Sequence, residues 1–165
     1  MPRDRRRTRP GRGPRAEIPD RIQALTQRLK AADQEAERLR RQAVTQRAAQ
    51  AAPAAEDIGG VLLARLGDGG EPGEARQLAQ AVRERLPAGR PGVVAVTGTG
   101  AKGGQLVVTV NDAARRVGLS AADLVRELPG GRGGGTADTA QGGGLDPARL
   151  TQALDRLPAH LADRP

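Results

Sequence analysis

Residues 130–144 read GGRGGGTADTAQGGG, eight glycines in fifteen positions. A slack spacer and a backbone built to hold a ligand share this composition, and they differ in what adjoins them. Here the run leads into Asp146-Pro147, an N-cap followed by proline at the first helical position, and Leu150, Leu154 and Leu157 carry a helical period on to Pro158. Upstream, Ser120 opens SAADLVREL with Asp123 three residues on, as in a capping box, and Pro129 closes it. Structured elements on both sides predict a fixed Gly-rich loop before the last helix. Consecutive glycines can aim several backbone N–H groups at one anion, because no Cβ blocks the approach. Arg132 lies inside the run, and the next helix adds the positive end of its dipole.

Outward from this run, QLVVTV (105–110) alternates Leu106, Val108 and Val110 against Val107 and Thr109, a strand pattern. GVVAVT (92–97) is apolar on both faces, as a central strand is. Residues 72–86 place Ala75, Leu78, Ala79, Val82 and Leu86 on one face between Pro72 and Pro87, an amphipathic helix. DIGGVLLARL (57–66) reads as a strand that its paired glycines allow to bulge. Further upstream Ile22, Leu25, Leu29, Ala32, Ala36, Leu39 and Ala43 repeat at alternating gaps of three and four. That is a heptad seam, on a helix expected from the Asp20 cap to the stop at Pro53. Alanine at three of its seven positions makes it weak. A weak homo-oligomer through residues 20–52 is the corresponding expectation. The class is α+β: a long coiled-coil-like helix, then a small mixed β-sheet with helices on one side. The expected divisions are a disordered tail (1–19), the long helix (20–55), the domain (56–158) and a short C-terminal tail (159–165).

Leu, Ile and Val total 31 of 165 residues, and 24 of them fall in 56–157, so the core is small and aliphatic. The net charge is +8; residues 1–15 carry seven Arg against one Asp, leaving the body nearly balanced. Such a tail suits attraction to nucleic acid by counterion release. The chain has no Phe, Tyr or Trp. Stacking of bases on aromatic rings is thereby excluded, which leaves phosphates and sugars as the expected contacts. No Cys and a single His, His160, exclude thiolate and His-rich metal sites. No cofactor is called for, and no catalytic set of nucleophile and base is present. Without an apolar run of membrane length, the expected location is the cytoplasm.

VVAVTGTGAKGG (93–104) holds Gly98-x-Gly100-x-x-Gly103, the letters of a dinucleotide fingerprint. That motif needs a helix starting at its third glycine. The β-branched strand pattern that follows instead predicts a hairpin with Lys102 near its tip.

The glycine segment resembles the C-terminal domain of alanyl-tRNA synthetase, also called the DHH-associated domain. That family ends in GG-[KR]-GGG-R-P-D-x-A-Q-x-G-G and then a short helix near Asp-Pro. Gly130, Gly131, Arg132, Gly133, Gly134, Gly135, Asp138, Ala140, Gln141, Gly143, Gly144 and Asp146 match it. The flanking strands and helices agree in kind over residues 20–158. Thr136-Ala137 stands where the family has Arg-Pro, which removes one phosphate contact and a rigid turn. DHH phosphoesterases place a His after the glycines, and Thr136 argues against that branch. The resemblance implies a free-standing, non-catalytic nucleic-acid-binding module, because the aminoacylation and editing elements of the synthetase have no counterpart in these residues. Its implied partners are tRNA or another structured RNA and an alanyl-tRNA synthetase, and such domains often support dimerisation. The implied contacts are the matched glycines, Gly142, Arg132, Asp138 and Gln141, with Arg115 and Arg116 adding diffuse charge.

Overall fold

The computed structural model describes residues 17–128 and 132–164. The Arg-rich stretch 1–15, the expected stop at Pro129, and two of the expected site residues, Gly130 and Gly131, lie outside the described residues. The chain divides into two compact units, residues 1–41 and 42–165.

A helix, α1, runs Glu17–Ala51. Up to Arg41 it belongs to the first unit, where Ile22, Leu25, Leu29 and Leu39 of the heptad seam are all more than half exposed. Ion pairs Glu35–Arg38 (2.5 Å) and Glu37–Arg41 (3.9 Å) line other faces of the same helix.

The second unit is a six-stranded mixed sheet with helices on both faces. Its strands are β1 (Glu56–Ile58), β2 (Val61–Leu66), β3 (Gly92–Gly100), β4 (Gly103–Val110), β5 (Gly133–Gly135) and β6 (Thr139–Leu145). They lie in the order β1-β2-β3-β4-β6-β5, antiparallel except for β2 and β3. The parallel pair is joined by α2 (Pro72–Arg85), the crossover such a pair requires. Leu78, Ala79 and Val82 of α2, with Ala48 and Ala52, cover Val94, Val96 and Val107 on one face. The opposite face carries α3 (Asp112–Arg116), α4 (Ala121–Glu127) and α5 (Pro147–Ala162), whose apolar sides close over Val93, Leu106, Val108 and Ala140.

The class is α+β as expected, and five details differ. α1 begins at Glu17, three residues before the expected Asp20 cap and inside the expected tail. Helices cover both faces, as the two-sided apolar character of β3 demands. Gly59 and Gly60, both at positive φ (59° and 92°), form a two-residue turn, so DIGGVLLARL is a hairpin and not a bulged strand. The segment expected as a Gly-rich loop is a β-hairpin at the end of the sheet, with Gly133, Gly134 and Gly135 opposite Gly142, Gln141 and Ala140. Pro158, expected to end the last helix, lies inside α5. Its missing N–H leaves the Leu154 carbonyl without a helical donor, and Arg65 Nη1 on β2 donates to it at 3.4 Å.

The fingerprint glycines do serve a hairpin. Gly98 and Gly100 face the start of α2: a Cβ on Gly98 would stand 2.8 Å from the Gly70 oxygen, and one on Gly100 3.0 Å from Pro72. Gly103 takes φ 101° in the turn.

Candidate nucleic-acid interface

Along β4 and β6, side chains alternate between the two faces of the sheet. Register assigns them: Val107 opposes Gln141, Gln105 opposes Gly143, and Thr109 opposes Thr139. These residues share the face that α2 partly covers, and across the outer pair Gly134 opposes Gln141. Gln141, Gly143 and Gly134 are exposed, so the floor beyond α2 is open, and the two glycines leave its backbone bare on either side of Gln141. Arg76 and Arg83, two helical turns apart on α2, lean over it. Arg76 Nη2 donates to Gln141 Oε1 at 3.4 Å, and Arg83 Nη1 donates to Thr109 Oγ1 at 3.4 Å. The result is a trough with arginines on one wall and glycine-rich strands as its floor. Arg132, two residues before Gly134, falls on the same face by strand alternation and is exposed.

The trough has a cavity at each end. One, of about 490 Å³, is lined by Glu71, Lys102, Gln105, Gly143 and Gly144 among others. It owes its shape to a β-bulge: the pairing slips between Gly104 and Gln105, and Gly144 takes φ 71°. The other, of about 370 Å³, is bordered by Arg83, Asn111, Asp112, Arg116 and Asp138.

The expected site residues are thus divided. Arg132, Gly134, Gln141 and Gly143 meet on the trough face. Gly133, Gly135 and Gly142 face the other way, toward α4, where a Cβ on Gly133 would come within 2.6 Å of Val125 Cγ1. Asp138 sits in the hairpin turn, where its carbonyl accepts from Val110 N (2.9 Å) and Thr109 Oγ1 (3.0 Å). Its carboxylate pairs with Arg115 at 2.9 Å, so these two charges offset each other. Arg116, on the same short helix, donates to the Asp112 carbonyl at 3.3 Å and stays exposed.

The glycine amides do not converge as a nest. β6 lies between two strands, so its peptide groups alternate between them, and Gly143 N donates to Arg132 O at 3.3 Å. With Thr136 N donating to Thr139 O at 2.9 Å, the register leaves the N–H groups of Gly133 and Gly135 pointing out from the edge of the sheet. Where the family has Arg-Pro, the Thr136 hydroxyl accepts from Thr139 N at 3.2 Å and holds the turn.

Sequence reasoning missed Arg76 and Arg83, as well as Gln105. The signal was present: Arg76, Gln80 and Arg83 recur at gaps of four and three along the margin of an amphipathic helix. Nothing linear ties that stripe to the glycine strands, which lie fifty residues or more downstream and meet it only in the folded sheet, where Arg76 reaches Gln141.

Residues 59–163 match the DHHA1 domain family. The alanine–tRNA ligase of Nocardioides sp. is 42% identical over 149 residues, covering 88% of this chain and 17% of the ligase. That of Thermobifida fusca is 44% identical over 149 residues, covering 87% of this chain and again 17% of the ligase. The chain therefore spans about a sixth of the length of these relatives. Among solved structures, the C-Ala domain of Aquifex aeolicus alanyl-tRNA synthetase superposes with a TM-score of 0.56 at 31% identity, over 66% of this chain and 97% of that domain. The chain belongs to the DHHA1 domain family and shares the fold of the C-terminal domain of alanyl-tRNA synthetase.

Proposed function

We propose that this chain is a non-catalytic, cytoplasmic module that binds structured RNA, tRNA foremost, through phosphate and ribose contacts along the trough. The observation that carries this reading is the overhang of Arg76 and Arg83 beside a floor on which Gly134 and Gly143 leave the backbone bare. A polyanion can lie close to the β6–β5 floor and meet guanidinium groups at its flank, and guanidinium suits phosphate recognition. Arg116 and Arg132 extend the positive border, the outward amides of Gly133 and Gly135 offer donors at the edge, and the arginines of residues 1–15 add charge. The likeness to tRNA ligases makes tRNA the first RNA to try, and a synthetase acting on the same tRNA is the natural companion.

Titration of labelled tRNA at two salt concentrations tests this. About six neutralised phosphates give roughly a thousandfold loss of affinity between 50 and 200 mM salt. Gly134→Leu and Gly143→Leu place bulk where no atom lies within 4 Å of the added Cβ, so they should leave the fold intact and weaken binding. Removal of residues 1–15 separates tail from trough. No binding by either form at low salt ends the proposal, and binding by the tail alone ends its assignment to this face.

A second reading, association through α1, draws on the exposed seam. In a parallel, in-register pair, Arg28 and Glu35 at g positions would face Asp33 and Arg40 at e positions of the second copy, opposite charges in both cases. Leu25→Asp with Leu29→Asp should then abolish any oligomer seen in sedimentation, and an oligomer that survives this pair of changes refutes it.

A further inference from the structure

Two amide side chains, Gln105 on β4 and Gln141 on β6, meet at the centre of the trough. Gln105 Nε2 donates to Gln141 Oε1 at 2.8 Å. Interchanging oxygen and nitrogen on both amides would preserve a hydrogen bond between them, so their contact alone leaves the orientation open. Arg76 resolves it. A guanidinium has donors only, so the Gln141 atom it approaches at 3.4 Å must be the oxygen. Gln105 must then present its nitrogen to that oxygen. Two groups remain: the Gln141 Nε2 amino group and the Gln105 Oε1 carbonyl. Among the described residues, no protein group hydrogen-bonds to either. Both belong to a pair of side chains tied together by the 2.8 Å hydrogen bond, one offering a donor and the other an acceptor.

We propose that Gln141 and Gln105 act as one composite hydrogen-bonding edge, Nε2 of the first donating and Oε1 of the second accepting, that reads the edge of a nucleobase in the bound RNA. This rests on the RNA reading above and adds a specificity-determining contact to it. A base edge with a ring acceptor beside an exocyclic amino group is the complement, as in adenine, which a single glutamine side chain matches in the same bidentate way. Bases turned out from loops and bends of RNA offer such edges. The lack of aromatic residues removes stacking but not hydrogen bonding at base edges. The neighbouring cavity favours this guest over a phosphate. Gln105 lines it together with Glu71 and Lys102, opposite charges that suit a neutral polar ring better than an anion. Arg76 thereby has a second role as a positioning residue: it fixes which amide atom faces outward.

The test compares tRNA with inorganic polyphosphate, which has the charge but neither base nor ribose. In the native chain, the Gln141 side-chain amide resonances should move on adding tRNA and stay in place on adding polyphosphate. Gln141→Glu keeps an oxygen for Arg76 and Gln105 while removing the donor, and Gln141→Met removes both functions without adding charge. Both should lower tRNA affinity by about tenfold, the weight of a bidentate base contact. Gln141→Met should keep the salt slope and lower tRNA affinity by clearly more than polyphosphate affinity. Native-like tRNA affinity in Gln141→Met overturns the proposal, as does an equal loss toward both polymers. Equal resonance shifts with the two polymers in the native chain overturn it without recourse to any variant. If the native chain binds no tRNA at low salt, the RNA reading itself fails and this contact goes with it.

Discussion

Gly133→Ala and Gly134→Ala are neighbouring changes in β5 with opposite expected effects on stability. A Cβ on Gly133 would sit 2.5 Å from the Gln141 carbonyl oxygen and 2.6 Å from Val125 Cγ1. The oxygen belongs to a strand bonded on both sides and cannot retreat, so overpacking should cost about 1–3 kcal/mol. Restricting the unfolded chain returns about 0.4–1 kcal/mol, leaving a net loss of roughly 1–2 kcal/mol. On Gly134 an added Cβ meets nothing within 4 Å, so only the favourable effect of about 0.4–1 kcal/mol remains. The two variants should thus differ by roughly 1–3 kcal/mol. In a domain of this size that separates their melting temperatures by about 2–10 °C, readable by far-ultraviolet circular dichroism with urea titration as a second measure. An unstructured spacer would treat the substitutions alike. Identical melting, or a lower midpoint for Gly134→Ala, refutes the hairpin packing.

Leu106, only 1% exposed and facing α5 and α4 from β4, should cost about 2–5 kcal/mol as Leu106→Ala, seen as a lower urea midpoint with an unchanged m-value. Asp146 accepts from Arg149 N at 2.8 Å as the N-cap of α5; Asp146→Ala should lose about 1 kcal/mol, and Asp146→Ser should recover most of it in the same titration. Glu127 on α4 is held below the usual carboxylate range by a hydrogen bond from Arg164 at 3.0 Å and then by His160 of α5. Its folded pKa is depressed, so its stabilisation is complete above the ordinary glutamate value, about 4.3, and fades as pH falls through the lower folded value. Solvent screening at this half-exposed site keeps the effect under about 1 kcal/mol. Glu127→Gln should flatten the loss of thermal stability between pH 6 and pH 3, and an acid response equal to that of the native chain counts against the pairing.

Period and punctuation carried most of the fold. GVVAVT, apolar on both faces, reads as an inner strand, and residues 72–86 as a helix against it. The short helix α3 went unread, although Asn111 followed by Asp112 is a cap and an acidic first turn; the Asn111 side chain accepts from Ala114 N at 2.9 Å. The glycine hairpin was not legible. Glycine carries no side-chain period, so the two-residue alternation that reveals strands is erased in residues 133–135 and 142–144. Only their pairing with β4 through Gln141 and its neighbours makes them strands. Pro158 misled for a related reason: the Arg65 guanidinium that compensates it lies 93 positions away. The candidate site was half legible. Its glycines and Arg132 stand in one run, whereas Arg76, Arg83 and Gln105 join them only through tertiary packing.

β5 ends the sheet with three residues that cannot carry a deterrent side chain. Natural sheets keep such rims from recruiting further strands by brevity, charge, proline or cover. Here brevity and the adjoining Arg132 remain among the described residues. The arginine therefore guards solubility as well as offering charge to a ligand. Arg132→Val should make the chain self-associate at high protein concentration even with no RNA present, so a binding defect in that variant is interpretable only when measured across a dilution series.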